Sequence, residues 1–284
     1  MKEDNNFNHF VITQFNLRNL SYGIKNTEEW INWTRERIVL FKSYTLPSFL
    51  NQTNKNFKWL IYFDSTTPDE FQFLFDKLNS IDFIKIFFVN GNDEFMTKYL
   101  DDIKNLNLKN KKWVITTRCD NDDCLEKDAI NTIQNQFIPK DEYLISLASG
   151  YTLNLKDYTL SHYYYPKSPF ISIIESYSKE NLKGIFFNIH TKWNSLRLEV
   201  FKEVFNRNKE SSFILNKPLW LQIIHGNNVA NGHRRGLPVL KPISLNNFGI
   251  NIKTNKQSVL NVFDYREYYY WKRYFKSLIV RLFK

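Results

Sequence analysis

The stretch Trp113-Val114-Ile115-Thr116-Thr117-Arg118-Cys119-Asp120-Asn121-Asp122-Asp123 constrains this chain more than any other. Its first five residues are aromatic, aliphatic or β-branched, the composition of a buried strand. Its last four include three carboxylates, which repel one another unless a cation lies among them. A buried strand ending in such a cluster is the pattern of a strand that delivers a metal site. In parallel-sheet proteins ligands bind beyond the carboxyl ends of the strands, which is where these acids fall. The competing reading is a solvated Asp/Asn turn, and the neighbouring segments decide between the two.

Strand-like and helix-like segments alternate ahead of the acids. Residues 9–15 (HFVITQF), 58–63 (KWLIYF), 83–89 and 112–117 read as strands buried by their continuous apolar content. Between them, residues 28–42 carry Trp30, Trp33, Arg37, Leu40 and Phe41 at helical spacing behind an Asn26-Thr27 cap. Pro68-Asp69-Glu70 opens a second helix with Phe71, Leu74, Phe75 and Leu78 on its core face, and residues 94–106 suit a third. Four such alternations predict an α/β fold, a mostly parallel central sheet with helices on its faces. Beyond the acids we expect a helix over 126–137 and a hairpin over 143–153 that turns at Ser149-Gly150. The remainder, including PFISIIE (169–175) and PLWLQIIHGN (218–227), is less regular.

Composition narrows the classes. No Gly/Ser- or Pro-rich linker divides the 284 residues, and no apolar run approaches the roughly 20 residues needed to span a bilayer. The start, Met1-Lys2-Glu3-Asp4-Asn5-Asn6, lacks the basic end and apolar core of a signal peptide, so a cytoplasmic protein is expected. The two cysteines, Cys119 and Cys124, flank the acids without further Cys for a disulfide or zinc framework. A net charge of +10 calls for phosphate-bearing ligands, nucleic acid or an anionic membrane. A non-enzymatic nucleic-acid binder would use the 17% aromatic residues as stacking platforms. Those aromatics fall on apolar faces, however, and three acids repel phosphate without a metal, so no nucleic-acid partner is expected. Magnesium-dependent phosphoryl transfer would use the same acids, but a G-x-x-x-x-G-K-[ST] loop is missing.

FVITQFNLR near the start, TLPSFLNQT followed by FKWLIYFD, the TRCDNDD block, PFISIIE and PLWLQIIHGNN together resemble a bacterial family of rhamnosyltransferases, nucleotide-sugar glycosyltransferases of GT-A type. The resemblance covers about residues 9–228. It implies one GT-A like domain over residues 1–262, with a nucleotide-sugar half at about 9–125 and an acceptor half at about 126–262. It also implies a nucleotide-sugar donor, a glycan or lipid-linked acceptor and surface-polysaccharide synthesis. Asp120 and Asp122 match the family's D-x-D positions, with Asp123 an equal alternative, and His225 matches a C-terminal His that completes the shell of Mn²⁺ or Mg²⁺. Asp64 matches the acid that meets the nucleobase, although the usual glycine of that turn is absent. Arg18 and Arg118 are the cations expected at the diphosphate, since charge builds there as it leaves. For an inverting transfer, Glu175 at the end of PFISIIE is the candidate base on the acceptor hydroxyl, ahead of Asp157 and Glu142.

Residues 263–284 form a basic amphipathic tail. Trp271, Phe275, Leu278 and Leu282 share one helical face, and Lys272, Arg273, Lys276, Arg281 and Lys284 supply cations. Such a helix suits an anionic membrane, which would make the protein peripheral on the inner face.

Overall fold

The computed structural model describes residues 6–18, 26–106, 111–178, 182–189, 192–193, 211–226, 236–258 and 268–282. The alternating apolar runs become β1 (Phe7–Gln14), β2 (Lys58–Asp64), β3 (Ile84–Val89) and β4 (Trp113–Arg118). They lie side by side in the order β4-β1-β2-β3, all parallel. In β2 every residue after Lys58 is buried, as a strand covered on both faces requires.

Helices α1 (Thr27–Leu40), α3 (Gln72–Asn79) and α4 (Gly91–Asn105) provide the crossovers. The Asn26 side chain caps α1 by accepting the Glu29 amide at 2.9 Å. Pro47 has no N–H to return to the preceding turn. The chain meets it with a five-residue π-helical turn, Phe41–Thr45, before the short α2 (Leu46–Leu50). This widened turn aims Thr45 at the acid loop, where its hydroxyl donates to the Asn121 carbonyl at 2.9 Å.

Past β4 the chain forms β5 (Asp123–Leu125), α5 (Ala129–Gln134), β6 (Tyr143–Leu147), β7 (Ser149–Asn154), β8 (Thr159–Tyr164), β9 (Ile171–Ser176), β10 (Ser211–Ile214), β11 (Trp220–Ile224) and β12 (Leu237–Pro238). Helix α5 is shorter than 126–137. The amides at its expected start bind elsewhere, Glu126 to the Leu219 carbonyl and Lys127 to the Asn247 carbonyl. The central sheet has seven strands in the order β10-β6-β9-β4-β1-β2-β3, with β9 antiparallel to both neighbours. A second sheet of five strands runs β12-β8-β7-β11-β5. The expected mostly parallel α/β sheet is therefore present, with a smaller mixed sheet beside it.

The expected hairpin over 143–153 is corrected. β6 belongs to the seven-stranded sheet and β7 to the five-stranded one, so the chain changes sheets at Ala148. Gly150 serves a different need from a turn: a Cβ there would come within 2.0 Å of the Trp220 ring. That ring stacks on Phe170 and donates its Nε1 hydrogen to the Leu147 carbonyl at 2.6 Å, filling the junction of the two sheets.

The C-terminal helix spans Tyr268–Leu282. The proposed boundary between residues 262 and 263 lies outside the described residues.

Candidate active site at the junction of two sheets

Because β1, β2 and β4 are parallel, Arg18, Asp64 and Arg118 arrive at one edge of the central sheet. Asp64 is buried and ties the edge together. Its Oδ2 accepts the Arg18 amide at 3.0 Å, and its Oδ1 accepts the amide and hydroxyl of Thr66 at 3.0 and 2.6 Å. Asn16, also buried, accepts the Asp64 amide at 3.1 Å and donates to the Thr67 hydroxyl at 3.0 Å. The exposed Arg18 guanidinium lies 4.4 Å from the centre of the Trp30 ring, whose indole N–H is held by the Asn16 carbonyl. Asp64 thus holds the backbone at Arg18, and the Trp30 ring lies against its guanidinium.

The three acids after β4 have three environments. Asp120 takes a two-pronged ion pair from Arg118, Nε to Oδ1 at 3.0 Å and an Nη to Oδ2 at 3.1 Å, and Phe186 lies under that guanidinium at 5.5 Å. Asp123 begins β5 and is buried. Burial, then the Asp122 and Asp120 charges, push its carboxyl well above the ordinary carboxylate range.

Asp122 lies between them. β11 is antiparallel to β5, with Gln222 opposite Asp123, so the chain beyond Gln222 runs back along the acid loop. It delivers His225, whose Nε2 is 3.2 Å from Asp122 Oδ2 across 103 residues of sequence. Arg37 of α1 forms an ion pair with the same oxygen. Burial alone would raise the Asp122 pKa; the His225 hydrogen bond and the Arg37 charge outweigh it and hold the carboxyl below its usual range. The loop is held from behind by the Asn121 side chain, which donates to the Phe15 carbonyl. Cys119 and Cys124 are free and buried, and burial raises both thiols.

Among the described residues, no three His, Cys, Asp or Glu side chains converge closely enough to hold a metal ion by themselves. Asp122 and His225 supply one carboxylate oxygen and one imidazole nitrogen, a donor pair suited to Mn²⁺ or Mg²⁺ only if a ligand's own oxygens complete the shell. Asp120 and Asp123 are not joined to that pair. The Asn227-Asn228 part of the expected ligand loop lies outside the described residues.

The structure does not bring Glu175 to this cluster. β9 is antiparallel to β4, and Glu175 pairs with Val114, near the amino end of β4 and away from Arg118. Its fully buried carboxylate accepts the amides of Lys183 and Gly184 at 3.0 and 2.8 Å. The two weaker candidates are also engaged. Asp157 closes its own turn onto Thr159, and Glu142 pairs with Lys183 at 2.8 Å.

Arg37 joins this candidate site through Asp122, and the sequence reading did not single it out. It appears in the sequence as a member of a helical stripe with Trp30 and Trp33. A permanently charged side chain within an apolar stripe is the available signal, because such a group is buried only with a partner. Here Arg37 is 5% exposed and 5.0 Å from the Trp33 ring.

A solved structure of residues 1–349 of TarS from S. aureus matches with 13% sequence identity, over 76% of this chain and 60% of that chain, at a TM-score of 0.36. This chain thus spans less than two thirds of that protein's length. No curated protein matches the sequence. A family model described as "Putative rhamnosyl transferase" matches residues 30–235, from the first turn of α1 to just beyond His225, and the chain belongs to that family.

Proposed function

We propose that this protein is a glycosyltransferase of GT-A type that moves a sugar, rhamnose by the family's description, from a nucleotide-sugar donor to a glycan or lipid-linked acceptor. The observation that carries the reading is the meeting of Asp122 and His225 beside Arg37, at the sheet edge that also holds Arg18 and Arg118. A departing nucleoside diphosphate gathers negative charge, and a transferase has to meet it with preorganised cations. Arg18 and Arg118 are directed to that edge by Asp64, Trp30, Asp120 and Phe186. Asp64 shapes the nucleotide side from within, since its two oxygens already hold Arg18 and Thr66.

Asp122 and His225 would hold a divalent cation jointly with the donor's phosphate oxygens. A bound cation would add charge neutralisation at the leaving group. Arg37 keeps Asp122 ionised and fixes which oxygen faces His225. These are tasks of this chain's own residues, whichever sugar the donor carries.

A thermal-shift series tests the reading. Nucleoside diphosphates with Mn²⁺ should raise the melting temperature, oligonucleotides should not, and a panel of sugar nucleotides should reveal a donor whose hydrolysis is lost in excess chelator. Stabilisation by oligonucleotides alone would overturn it, and full hydrolysis in chelator would remove the cation.

A further inference from the structure

The C-terminal helix rests on the domain by an unexpected side. Among its described side chains Ser277 and Val280 are buried, with Trp271 and Tyr274 packed at the flank against the core. The Tyr274 ring lies 5.3 Å from Tyr164 at the end of β8. The larger apolar side chains point the other way: Phe275 is 57% exposed, Ile279 42% and Leu282 81%. At about 100° per residue, these three lie on a face roughly opposite Ser277 and Val280. Trp271 and Leu278, read from sequence as part of the free face, are half-buried instead. A closing helix whose only task was to cover the core would be turned the other way.

Charge identifies what this face meets. From Tyr268 to Lys284 the chain has five Lys or Arg and no Asp or Glu. Lys272 and Lys276 are exposed and flank the apolar stripe on one side. Two such helices facing each other would set cation against cation, whereas a surface combining hydrocarbon with negative headgroups matches both components. We infer that Phe275, Ile279 and Leu282, with Lys272 and Lys276, form a docking face for an anionic lipid bilayer and seat the enzyme flat on the membrane. The helix is not a span, and no helix among the described residues is long and apolar enough to cross a membrane.

Co-sedimentation of the full chain with phosphatidylcholine vesicles, with and without phosphatidylglycerol, tests this. Binding should require phosphatidylglycerol and weaken with salt, because each surface lysine is worth about five-fold in partitioning. Lys272→Gln with Lys276→Gln should then weaken binding by about 30-fold. The combined Phe275→Ser, Ile279→Ser and Leu282→Ser variant should lose binding by about a thousand-fold. These side chains are exposed, so its melting temperature and its hydrolysis of a soluble donor should match the parent, which keeps a failure here separate from a failure of the transferase reading. Equal binding by parent and triple variant, or equal binding to neutral vesicles, would overturn the proposal. So would a parent dimer that ignores vesicles and becomes monomeric in the triple variant, since a second copy would then own the face.

Discussion

Arg37→Met removes one charge from a buried pair and keeps most of the side chain's packing. Arg37 is 5% exposed, and the Asp122 side chain it faces is 13% exposed. Breaking a buried ion pair by deleting one partner costs about 3–5 kcal/mol, because the survivor is left charged in a poor solvent. The upper end applies to a carboxylate with no other partner. Here His225 remains 3.2 Å from the same oxygen, so the lower end, about 3 kcal/mol, is expected. That corresponds to a melting temperature lower by about 6–12 °C for a chain of this size. Pairing Arg37→Met with Asp122→Asn removes both charges and should recover about 2 kcal/mol of the loss, while donor hydrolysis stays at least about 10²-fold below the parent in the double variant. Urea denaturation followed by tryptophan fluorescence measures all four corners of this cycle. If Arg37→Met costs less than about 0.5 kcal/mol, or the double variant is as unstable as the sum of the two singles, the pair carries no coupling and the account of Asp122 fails.

The remaining predictions concern the acid cluster, the discarded base and a buried histidine. Asp122→Asn and His225→Ala should each lower donor hydrolysis by about 10²–10³-fold in protein verified as folded by circular dichroism, and unchanged turnover in either would remove that residue from the site. Glu175→Gln should leave turnover per folded molecule within about two-fold but cost about 1–3 kcal/mol, because an amide nitrogen would then face the Lys183 or Gly184 N–H; a large loss of turnover at unchanged stability would restore Glu175 as the base. Burial lowers the His9 pKa from its ordinary 6.5 to about 3, so between these values the unfolded chain binds a proton that the folded chain refuses, and stability falls as pH drops through that window. At about pH 4.5 this one group should account for a loss of about 2–3 kcal/mol relative to neutral pH, and His9→Gln should flatten the wild-type pH dependence by that amount in urea midpoints; identical dependence in both would refute it.

How much was legible follows from what each residue responds to. β1 to β4 could be read because a strand buried on both faces has to be a continuous apolar run, whatever else surrounds it. The sheet change at Ala148 could not, since Ser149-Gly150 has the composition of a turn and the reason for the glycine, the Trp220 ring, lies 70 residues away. Glu175 misled for a related reason. An acid at the end of an apolar run marks the end of a strand, but the edge of the sheet depends on strand direction, and β9 runs opposite to β4. Asp120, Asp122 and Asp123 could be located together but not separated. Their roles come from Arg118, Arg37, His225 and burial, and only Arg118 is adjacent in sequence.

The acid loop is itself a bridge between the two sheets. β4 ends in the seven-stranded sheet, and five residues later β5 begins in the five-stranded one, so Cys119–Asp122 span the gap. β5 is only three residues long and, among the described residues, is held in its sheet by β11 alone, the strand that delivers His225. The partner that fixes the loop therefore also supplies the imidazole facing its central carboxylate. Arg37 reaches the same oxygen from α1, 85 residues earlier in sequence, and Thr45 holds the loop backbone through the π-helical turn that Pro47 imposes. Three distant segments thus have to be correctly docked before Asp122 is both ionised and aimed. A cluster built this way is organised by tertiary packing rather than by the D-x-D spacing. That is why Asp122, with an oxygen shared between a cation from a helix and an imidazole from a strand, is the acid on which we place the chemistry.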